Sequence, residues 1–291
     1  MTSSLSRSSP WISTGRRRER LRVDYPARGI EMTTVTGSDR LWEAFHSVPA
    51  LCYVPECAEN QGMGAHWVHR RRFEIARSGS LMALQCGESH RTRKVTKPAS
   101  FVLLRFDNNL LASMADELDL RGHLSFQRTQ FDDNQPLTDL VRKLHQGALL
   151  GAPAVDLEGI GHDLIVKVLQ SCMETRCIRN DPIPNGAARA MRTFLGERYA
   201  EGITLKDLEE LTGLSSFHLG HLFTECFAVP PLAFCSLLRL AEARDRLVAG
   251  ESASHLAREL GYYGLPHFSR MFKKVYGLSP SFVPRRPLGV V

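Results

Sequence analysis

The sequence predicts an α+β protein, with an N-terminal β-barrel or sandwich carrying flanking helices and a C-terminal all-α domain. Short apolar runs separated by Gly, Pro, Ser and Asn clusters fill residues 38 to 130, which is typical of a small all-β unit. Amphipathic helical stripes replace them further along the chain. This change of the apolar pattern, from strand-like to helical within 291 residues, indicates two domains.

Composition narrows the class of protein. Hydrophobic residues make up 43% and charged residues 23%, the balance of a soluble globular chain. No apolar run approaches the ~20 residues that span a membrane, and no apolar stretch follows the N-terminal charges as in a secretory signal. Seven cysteines without a CxxC pair predict free thiols in a reducing cytoplasm. We therefore expect a cytoplasmic protein without a membrane anchor.

The chain divides into four predicted segments. Residues 1–37, rich in Ser and Arg at their start, predict a disordered basic tail, either solvated or acting as an extra phosphate-contacting arm. Residues 38–178 predict the β domain with its flanking helices, with strands at Ala50–Val54, Ser80–Cys86 and Ser100–Phe106. The Pro- and Asn-rich segment 179–186 predicts a linker, and 187–291 a helical domain.

Three helices follow the predicted strands. Asp107 is placed to cap the first, over NNLLASMADEL. The second and third are expected at Gln135–Leu149 and Val155–Met173. The stripe of the third contains Leu157, Ile160, Leu164, Val168 and Leu169. These helices could cover the open side of the β domain or form a dimer seam, and the sequence does not choose.

A weak internal repeat fills the C-terminal domain. The first copy, unit one, is Thr204–Pro231, and the second, unit two, is Ser252–Pro280. Each copy predicts a short helix capped by Thr204 or Ser252, a glycine-bearing turn and a second helix. The predicted buried stripes of the first helices are Leu205, Leu208 and Leu211 in unit one, and Leu256, Ala257 and Leu260 in unit two. In the second helices Leu219, Leu222 and Phe223 match Phe268, Met271 and Phe272. This is helix-turn-helix architecture, whose second helix enters the DNA major groove.

Charge supports contact with a polyanion. The net charge is +6, and the chain after Glu259 carries five basic side chains and no acidic one. The middle of the chain is nearly neutral, so the sequence predicts one module that meets DNA and one that does not.

The stretch HLARELGY…HFSRMFKKVYGLSPSFVPRR of unit two closely resembles the signature of AraC/XylS transcription regulators. Arg239–Leu247 resembles the helix that links the two units in that family. The resemblance implies a cupin-like N-terminal sensor and two recognition helices in successive major grooves, about 34 Å apart. It also implies double-stranded DNA as partner, RNA polymerase contact as an activator, a small effector and a possible homodimer. The bound protein would be nucleoid-associated.

Spacing selects the residues that would face DNA. With the apolar stripe turned inward, the opposite helix face carries the candidate readers. Those of unit one are Phe217, Gly220, His221 and Thr224, and those of unit two are Pro266, Ser269, Arg270 and Lys273. Arg270 suits a guanine or a phosphate. Lys273 and Lys274 suit phosphates, and Arg285 and Arg286 could clamp the backbone.

Unit one departs from the family pattern. Glu209 replaces a small residue, His221 an arginine, Thr224 and Glu225 basic residues, and Ala228 a glycine. Acidic side chains that face phosphates lower affinity, so we expect unit one to read DNA more weakly than unit two.

Other constellations predict little chemistry. The HxxH pairs His66/His69 and His218/His221 are not expected to bind metal, the first because it lies in a probable strand. Tyr53, Trp67 and Phe73 are either core residues or the lining of a ligand pocket. No catalytic set or cofactor motif is recognised, so we expect a regulator without enzymatic activity or cofactor. The alternative is a cupin-type binding protein or enzyme with a helical interaction domain.

Overall fold

The computed structural model describes residues 11–14, 18–69, 72–84, 87–120, 126, 130–131, 135–173 and 186–284. Over these residues the predicted α+β class is confirmed: antiparallel sheets precede a helical domain. The strands are β1 Ile12–Ser13, β2 Arg20–Ala27, β3 Ile30–Ser38, β4 Glu43–His46, β5 Ala50–Tyr53, β6 Ala65–His69, β7 Arg72–Ala76, β8 Leu81–Leu84, β9 Glu88–Val95, β10 Ala99–Phe106 and β11 Gln130–Phe131. The helices are α1 Asn108–Glu117, α2 Pro136–Leu150, α3 Ala154–Met173, α4 Gly186–Arg198, α5 Leu205–Thr212, α6 Ser216–Phe227, α7 Pro231–Val248, α8 Ala253–Glu259 and α9 Leu265–Tyr276.

Two sheets form the N-terminal domain. The larger has the strand order β1-β2-β3-β10-β5-β8-β11 and the smaller β4-β9-β6-β7. Side chains alternate strictly along the central strands of the larger sheet. On β5, for example, Leu51 and Tyr53 belong to one apolar cluster, whereas Ala50 and Cys52 belong to another with Trp67 of the smaller sheet. The larger sheet is therefore buried on both faces, which explains its nearly continuous apolar runs.

Helices cover one face of the larger sheet. Leu164, Val168 and Leu169 of α3 are buried in the same cluster as Leu51 and Tyr53. The helices therefore cover the sheet, the first of the two arrangements that the sequence left open. The capping prediction is also confirmed, because the Asp107 carboxylate accepts a hydrogen bond of 3.0 Å from the backbone N–H of Leu110.

The prediction of a disordered tail through residue 37 is wrong for residues 20–37, which form β2 and most of β3. Their charges are paired inside the fold: Arg22 meets Asp24 at 2.7 Å. Charged residues in this segment made it resemble a solvated tail, but ion pairing allows the strands to be buried. Residues 1–10 and 15–17 lie outside the described part, as does the predicted linker except Gly186, which begins α4.

The two domains share one apolar cluster. Leu21, Val23 and Val35 of the larger sheet pack with the buried residues of the helical domain, and the ring of Phe45 meets that of Phe234 at 5.5 Å. The N-terminal domain is therefore packed directly against the helical domain.

No single helix among the described residues is long and apolar enough to cross a membrane. The consecutive helices α6 and α7 reach the required length and composition only as a pair bent by 49°.

Candidate DNA-binding surface and interdomain cavity

Unit one is built on α5 and α6. The Thr204 hydroxyl accepts a hydrogen bond from the backbone N–H of Asp207, whose carboxylate accepts one in return from the Thr204 backbone N–H at 2.7 Å. This capping box starts α5, and Gly213 ends it at a φ of 69°. Leu219 and Phe223 bury the inner face of α6, so the outer face is free to meet DNA.

Unit two repeats this arrangement on α8 and α9. The Ser252 hydroxyl caps α8 by accepting a hydrogen bond from the backbone N–H of His255 at 3.2 Å. Phe268 and Phe272 bury the inner face of α9, and Gly277 ends the helix at a φ of 79°. Both predicted caps and both predicted second helices are therefore confirmed.

The predicted buried stripe of α5 requires a correction. Leu208 is buried, but Leu205 and Leu211 are 37% and 42% exposed. Positions 205 and 211 lie about 60° to either side of Leu208 around the helix, so they fall at the two edges of the buried stripe. The stripe predicted for α8 is confirmed, since Leu256, Ala257 and Leu260 are all buried.

The predicted DNA readers lie on the outer faces of α6 and α9. Phe217 is 79% exposed, and His221 and the basic side chains of α9 are also exposed. The half-buried positions are Gly220, Thr224 and Ser269. The predicted readers of α9 that are exposed are Pro266, Arg270, Lys273 and Lys274. Arg285 and Arg286 lie outside the described residues.

The sequence did not point to Tyr263. This side chain is fully exposed in the turn two residues before α9, the second helix of unit two. It stands in the run GYYG, which the sequence marks only as a turn. An unusually exposed aromatic group was visible only in the structure.

Two unusual residues of unit one have structural roles. The Glu209 carboxylate accepts a hydrogen bond from the backbone N–H of Ser216, the first residue of α6. An acidic group at a helix N-terminus is favourable for the helix but adds negative charge near the recognition surface. Ala228 ends α6 at a φ of 64° and takes the position that Gly277 has at the end of α9.

A cavity of about 150 Å³ lies where the sheets meet the helical domain. Trp67 lines it, together with Cys52, Phe101 and Leu103. Residues from the end of unit two complete the wall: Val275, Tyr276 and Leu278. The cavity is thus shared between the N-terminal domain and a recognition helix.

The predicted aromatic lining of a ligand pocket is only partly assembled. Trp67 lies in the cavity wall, but Tyr53 is buried on the opposite face of the larger sheet. Phe73 points outward and is 72% exposed. The structure therefore does not bring the three rings together, because the alternation of a strand sends Tyr53 away from its neighbour Cys52.

Three arginines line the cavity and each is paired with a carboxylate: Arg40 with Glu19, Arg105 with Asp245, and Arg244 with Glu31. Burial alone would raise the pKa of Glu31, but the charges of Arg244 and Arg105 outweigh it and hold this pKa below its ordinary value of 4.5. The charged wall is therefore balanced, and the rest of the lining is mainly apolar.

Several histidine and carboxylate side chains of the described residues are candidate metal ligands. His66 lies on β6, as the strand prediction required, and His218 and His221 are exposed on α6. Another group, Glu251, His255 and Glu259, places its ligand atoms within 4.8 Å of one another. Arg246 already bonds its two carboxylates, at 2.7 and 2.6 Å, so this cluster is explained by an ion-pair network.

Comparison with known proteins agrees with this geometry. Residues 208–286 match the family description "Helix-turn-helix domain". The chain is 24% identical to the HTH-type transcriptional regulator YbfI of Bacillus subtilis over 194 residues, which cover 66% of this chain and 70% of YbfI. It is 33% identical to the raffinose operon regulatory protein RafR of Pediococcus pentosaceus over 99 residues, about a third of each chain.

Solved structures give weaker overall similarity. ToxT from Vibrio cholerae is 10% identical with a TM-score of 0.46, over 87% of this chain and 96% of ToxT. A probable AraC family regulator from Rhodopseudomonas palustris is 27% identical with a TM-score of 0.32, over 33% of this chain and 93% of that one. Residues 208–286 therefore form a helix-turn-helix domain, and the resemblance to AraC/XylS regulators predicted from the sequence is confirmed.

Proposed function

We propose that this protein is an effector-responsive transcription activator that reads two DNA half-sites through α6 and α9. The observation that carries the proposal is the cavity wall, which combines Trp67 of the N-terminal domain with Val275 and Tyr276 of α9. A molecule in this cavity would touch the recognition helix of unit two directly. The N-terminal domain is then a sensor, cupin-like in its two facing sheets, and no catalytic step is assigned to it.

The effector is inferred from the chemistry of the wall. Apolar side chains dominate the wall, and burial raises the pKa of the Cys52 thiol to about 12, so this thiol stays neutral. The three arginines are already balanced by carboxylates. An engineered cavity of about 150 Å³ holds a ligand the size of benzene. We infer a small, largely apolar effector.

On DNA, unit two supplies most of the affinity. Arg270 is placed for a guanine or a phosphate, and Lys273 and Lys274 for phosphates. Arg285 and Arg286 extend the same basic end of the chain. In unit one, Phe217 and His221 are the readers, with Phe217 suited to a thymine methyl group.

A homodimer through the α2–α3 turn and contact with RNA polymerase complete the proposal. Leu150 and Val155, at this turn, are 86% and 76% exposed, and Leu149 beside them is 44% exposed. Exposed apolar groups of this kind are common in contact surfaces. Sedimentation of the wild-type chain and of a Leu150→Glu variant would test the dimer.

The effector is tested with a thermal-shift screen of apolar metabolites on the full-length chain. A ligand that binds only the folded state raises the melting temperature by mass action. Hits are then added to a DNA-binding titration on an operator selected from random DNA.

The matched variants are Trp67→Leu and Phe73→Leu, which change an aromatic residue inside and outside the cavity. Trp67→Leu should abolish the thermal shift and the effect on DNA affinity, and Phe73→Leu should preserve both. An equal response of the two variants would contradict binding in the cavity.

A further inference from the structure

The C-terminal ends of both recognition helices are bonded to the sensor domain. The Ser89 hydroxyl on β9 donates a hydrogen bond to the carbonyl of Phe227, the last residue of α6. The Arg40 guanidinium donates to the carbonyls of Lys273 and Lys274, in the last turn of α9, at 3.0 and 3.4 Å. The two helices are thus each held in their last turn by a side chain of the same domain.

Helix ends are effective points for such contacts. The last four carbonyls of an α-helix have no partner within the helix, and together they carry partial negative charge. A hydroxyl or a guanidinium aimed at these carbonyls fixes the helix end. The contact leaves the outer face and the N-terminal part of the helix free for DNA.

Arg40 is itself held rigidly. Its Nε donates to the Glu19 carboxylate at 3.2 Å, and the Ser38 hydroxyl donates to the same carboxylate at 2.6 Å. The guanidinium also lies 4.7 Å from the centre of the Trp42 ring. Glu19 is buried, so Arg40 is directed at α9 by a fixed ion pair.

The two contact points are joined by one small sheet. Arg40 lies just before β4, and Ser89 lies on β9, which pairs with β4 so that Ser89 opposes Phe45. Their neighbours Trp42 and His90 both line the cavity. The β4–β9 pair therefore sets the distance between the contact points and also forms part of the cavity wall.

We infer that Arg40 and Ser89 are positioning residues that set the separation and angle of the two recognition helices. They form a clamp that links the cavity to the spacing of the half-sites that the protein accepts. The clamp acts in addition to α7, which joins the two units along the chain. This inference rests on the proposed function, since it concerns how the two units meet DNA.

The experiment measures affinity against half-site spacing. An operator is selected from random DNA with the full-length wild-type chain, and versions with one or two base pairs inserted between the half-sites are prepared. The first variant is Arg40→Gln with Glu19→Gln, which removes the cation without leaving a lone buried charge. The second is Ser89→Ala, which removes only the neutral contact to α6.

The matched control is Arg22→Gln with Asp24→Asn. This ion pair is buried on β2 of the larger sheet, at 2.7 Å, and Arg22 contacts the carbonyl of Ala148 in α2 rather than a DNA-binding helix. The control reports the cost of losing a buried pair in the sensor domain. Melting temperatures are recorded for every variant.

Wild type should lose at least about tenfold in affinity on insertion, because losing even one base contact costs about that much. The control variant, Arg22→Gln with Asp24→Asn, should lose as much affinity as wild type on the same insertion. The clamp variants should tolerate the insertion, with a penalty at least about threefold smaller, because the helix ends are no longer fixed. A spacing profile identical to wild type in both clamp variants would overturn the inference.

If the double variant fails to fold, Ser89→Ala alone tests the clamp: a smaller insertion penalty than wild type supports it, and an identical spacing profile overturns it. If the wild-type chain selects no DNA sequence at all, the proposed function fails, which is a different outcome from an unchanged spacing profile.

Discussion

The two helix-turn-helix units share one fold but differ in the charge they present and in how the sensor domain holds them. Unit two exposes Arg270, Lys273 and Lys274, whereas unit one exposes Phe217 and His221. The N-terminal domain contacts unit one through the neutral hydroxyl of Ser89 and unit two through the ion-paired guanidinium of Arg40. The same backbone arrangement therefore presents an acidic unit and a basic unit, and the basic unit is the one beside the cavity.

The largest expected effect is the loss of stability when the buried ion pair near unit two is broken. Arg244 of α7 pairs with Glu31 and lies 5.6 Å from the ring of Tyr276 at the end of α9. Glu31→Gln leaves Arg244 buried without its carboxylate, and breaking a buried pair in this way costs about 3–5 kcal/mol. Urea unfolding of the full chain measures this loss.

Glu201→Gln is the control near unit one. It breaks the exposed pair with Arg198, at 2.6 Å, and solvent screening leaves such an exposed pair with little effect on stability. Equal losses for the two variants would mean that the buried pair does not anchor unit two more firmly than an exposed pair.

The same anchor should be sensitive to acid. The pKa of Glu31 is lowered in the folded protein, so the stability it contributes is complete above its ordinary value of 4.5 and is lost as the pH falls through the folded value. The difference in unfolding free energy between wild type and Glu31→Gln should therefore shrink below pH 4.5. The cost of Ser89→Ala, a neutral contact on unit one, should stay constant over the same range. A Glu31→Gln difference that is independent of pH would contradict the charge-based anchor.

Gly277 offers a test at the end of α9. Its φ is 79°, and a Cβ added there would lie 3.0 Å from the Trp42 ring and 3.2 Å from Leu21. Gly277→Ala should cost about 2–3 kcal/mol, from the left-handed backbone and from overpacking. Gly213→Ala, at the end of α5, has a similar φ of 69° but open space around the added Cβ, and should cost only about 1 kcal/mol. Similar melting temperatures for the two variants would show that the sensor domain is not in close contact with the end of α9.

DNA affinity should divide unequally between the units. Arg270→Ala removes either a guanine contact, at about 1–3 kcal/mol, or a phosphate contact, which lowers the salt slope by about one. His221→Ala should cost less, because an imidazole lacks the planar, five-donor guanidinium with which an arginine bonds a guanine or a phosphate. Salt titrations on the selected operator compare the two variants. If His221→Ala weakens binding as much as Arg270→Ala, unit one is a full reader.

The helical domain could be predicted from the sequence because its signals are local. Thr204 and Ser252 cap the helices they were expected to cap, and the inner faces of α6 and α9 follow from helical period alone. Strands with continuous apolar runs, such as β10, were also recognisable. These features depend on residues within one or two turns of each other.

Features that depend on distant partners could not be predicted. β2 and β3 were missed because Arg22 and Asp24 resemble solvated charges until their pairing is known. The choice between core and pocket for Tyr53 could not be made, because nothing local fixes which face of β5 it occupies; a one-residue shift reverses every side chain. The role of Glu209 at the start of α6 likewise appears only when two helices are brought together.

The smallest expected effect is a change in DNA affinity when the Glu209 carboxylate is neutralised. Glu209 caps α6 through the backbone N–H of Ser216 and adds negative charge beside the recognition surface of unit one. Glu209→Gln keeps an oxygen that can accept the same hydrogen bond but removes the charge, which repels phosphates by about 1 kcal/mol or less through water at short range. DNA affinity should therefore rise by up to about fivefold at low salt, and the gain should vanish at high salt, where charges are screened. Glu210→Gln is the control, since it makes the same change on the same helix at an exposed position that pairs with Lys206 at 4.0 Å. An equal gain in both variants would mean that only net charge matters, and no gain in either would mean that the acidity of α5 does not explain why unit one is the weaker reader.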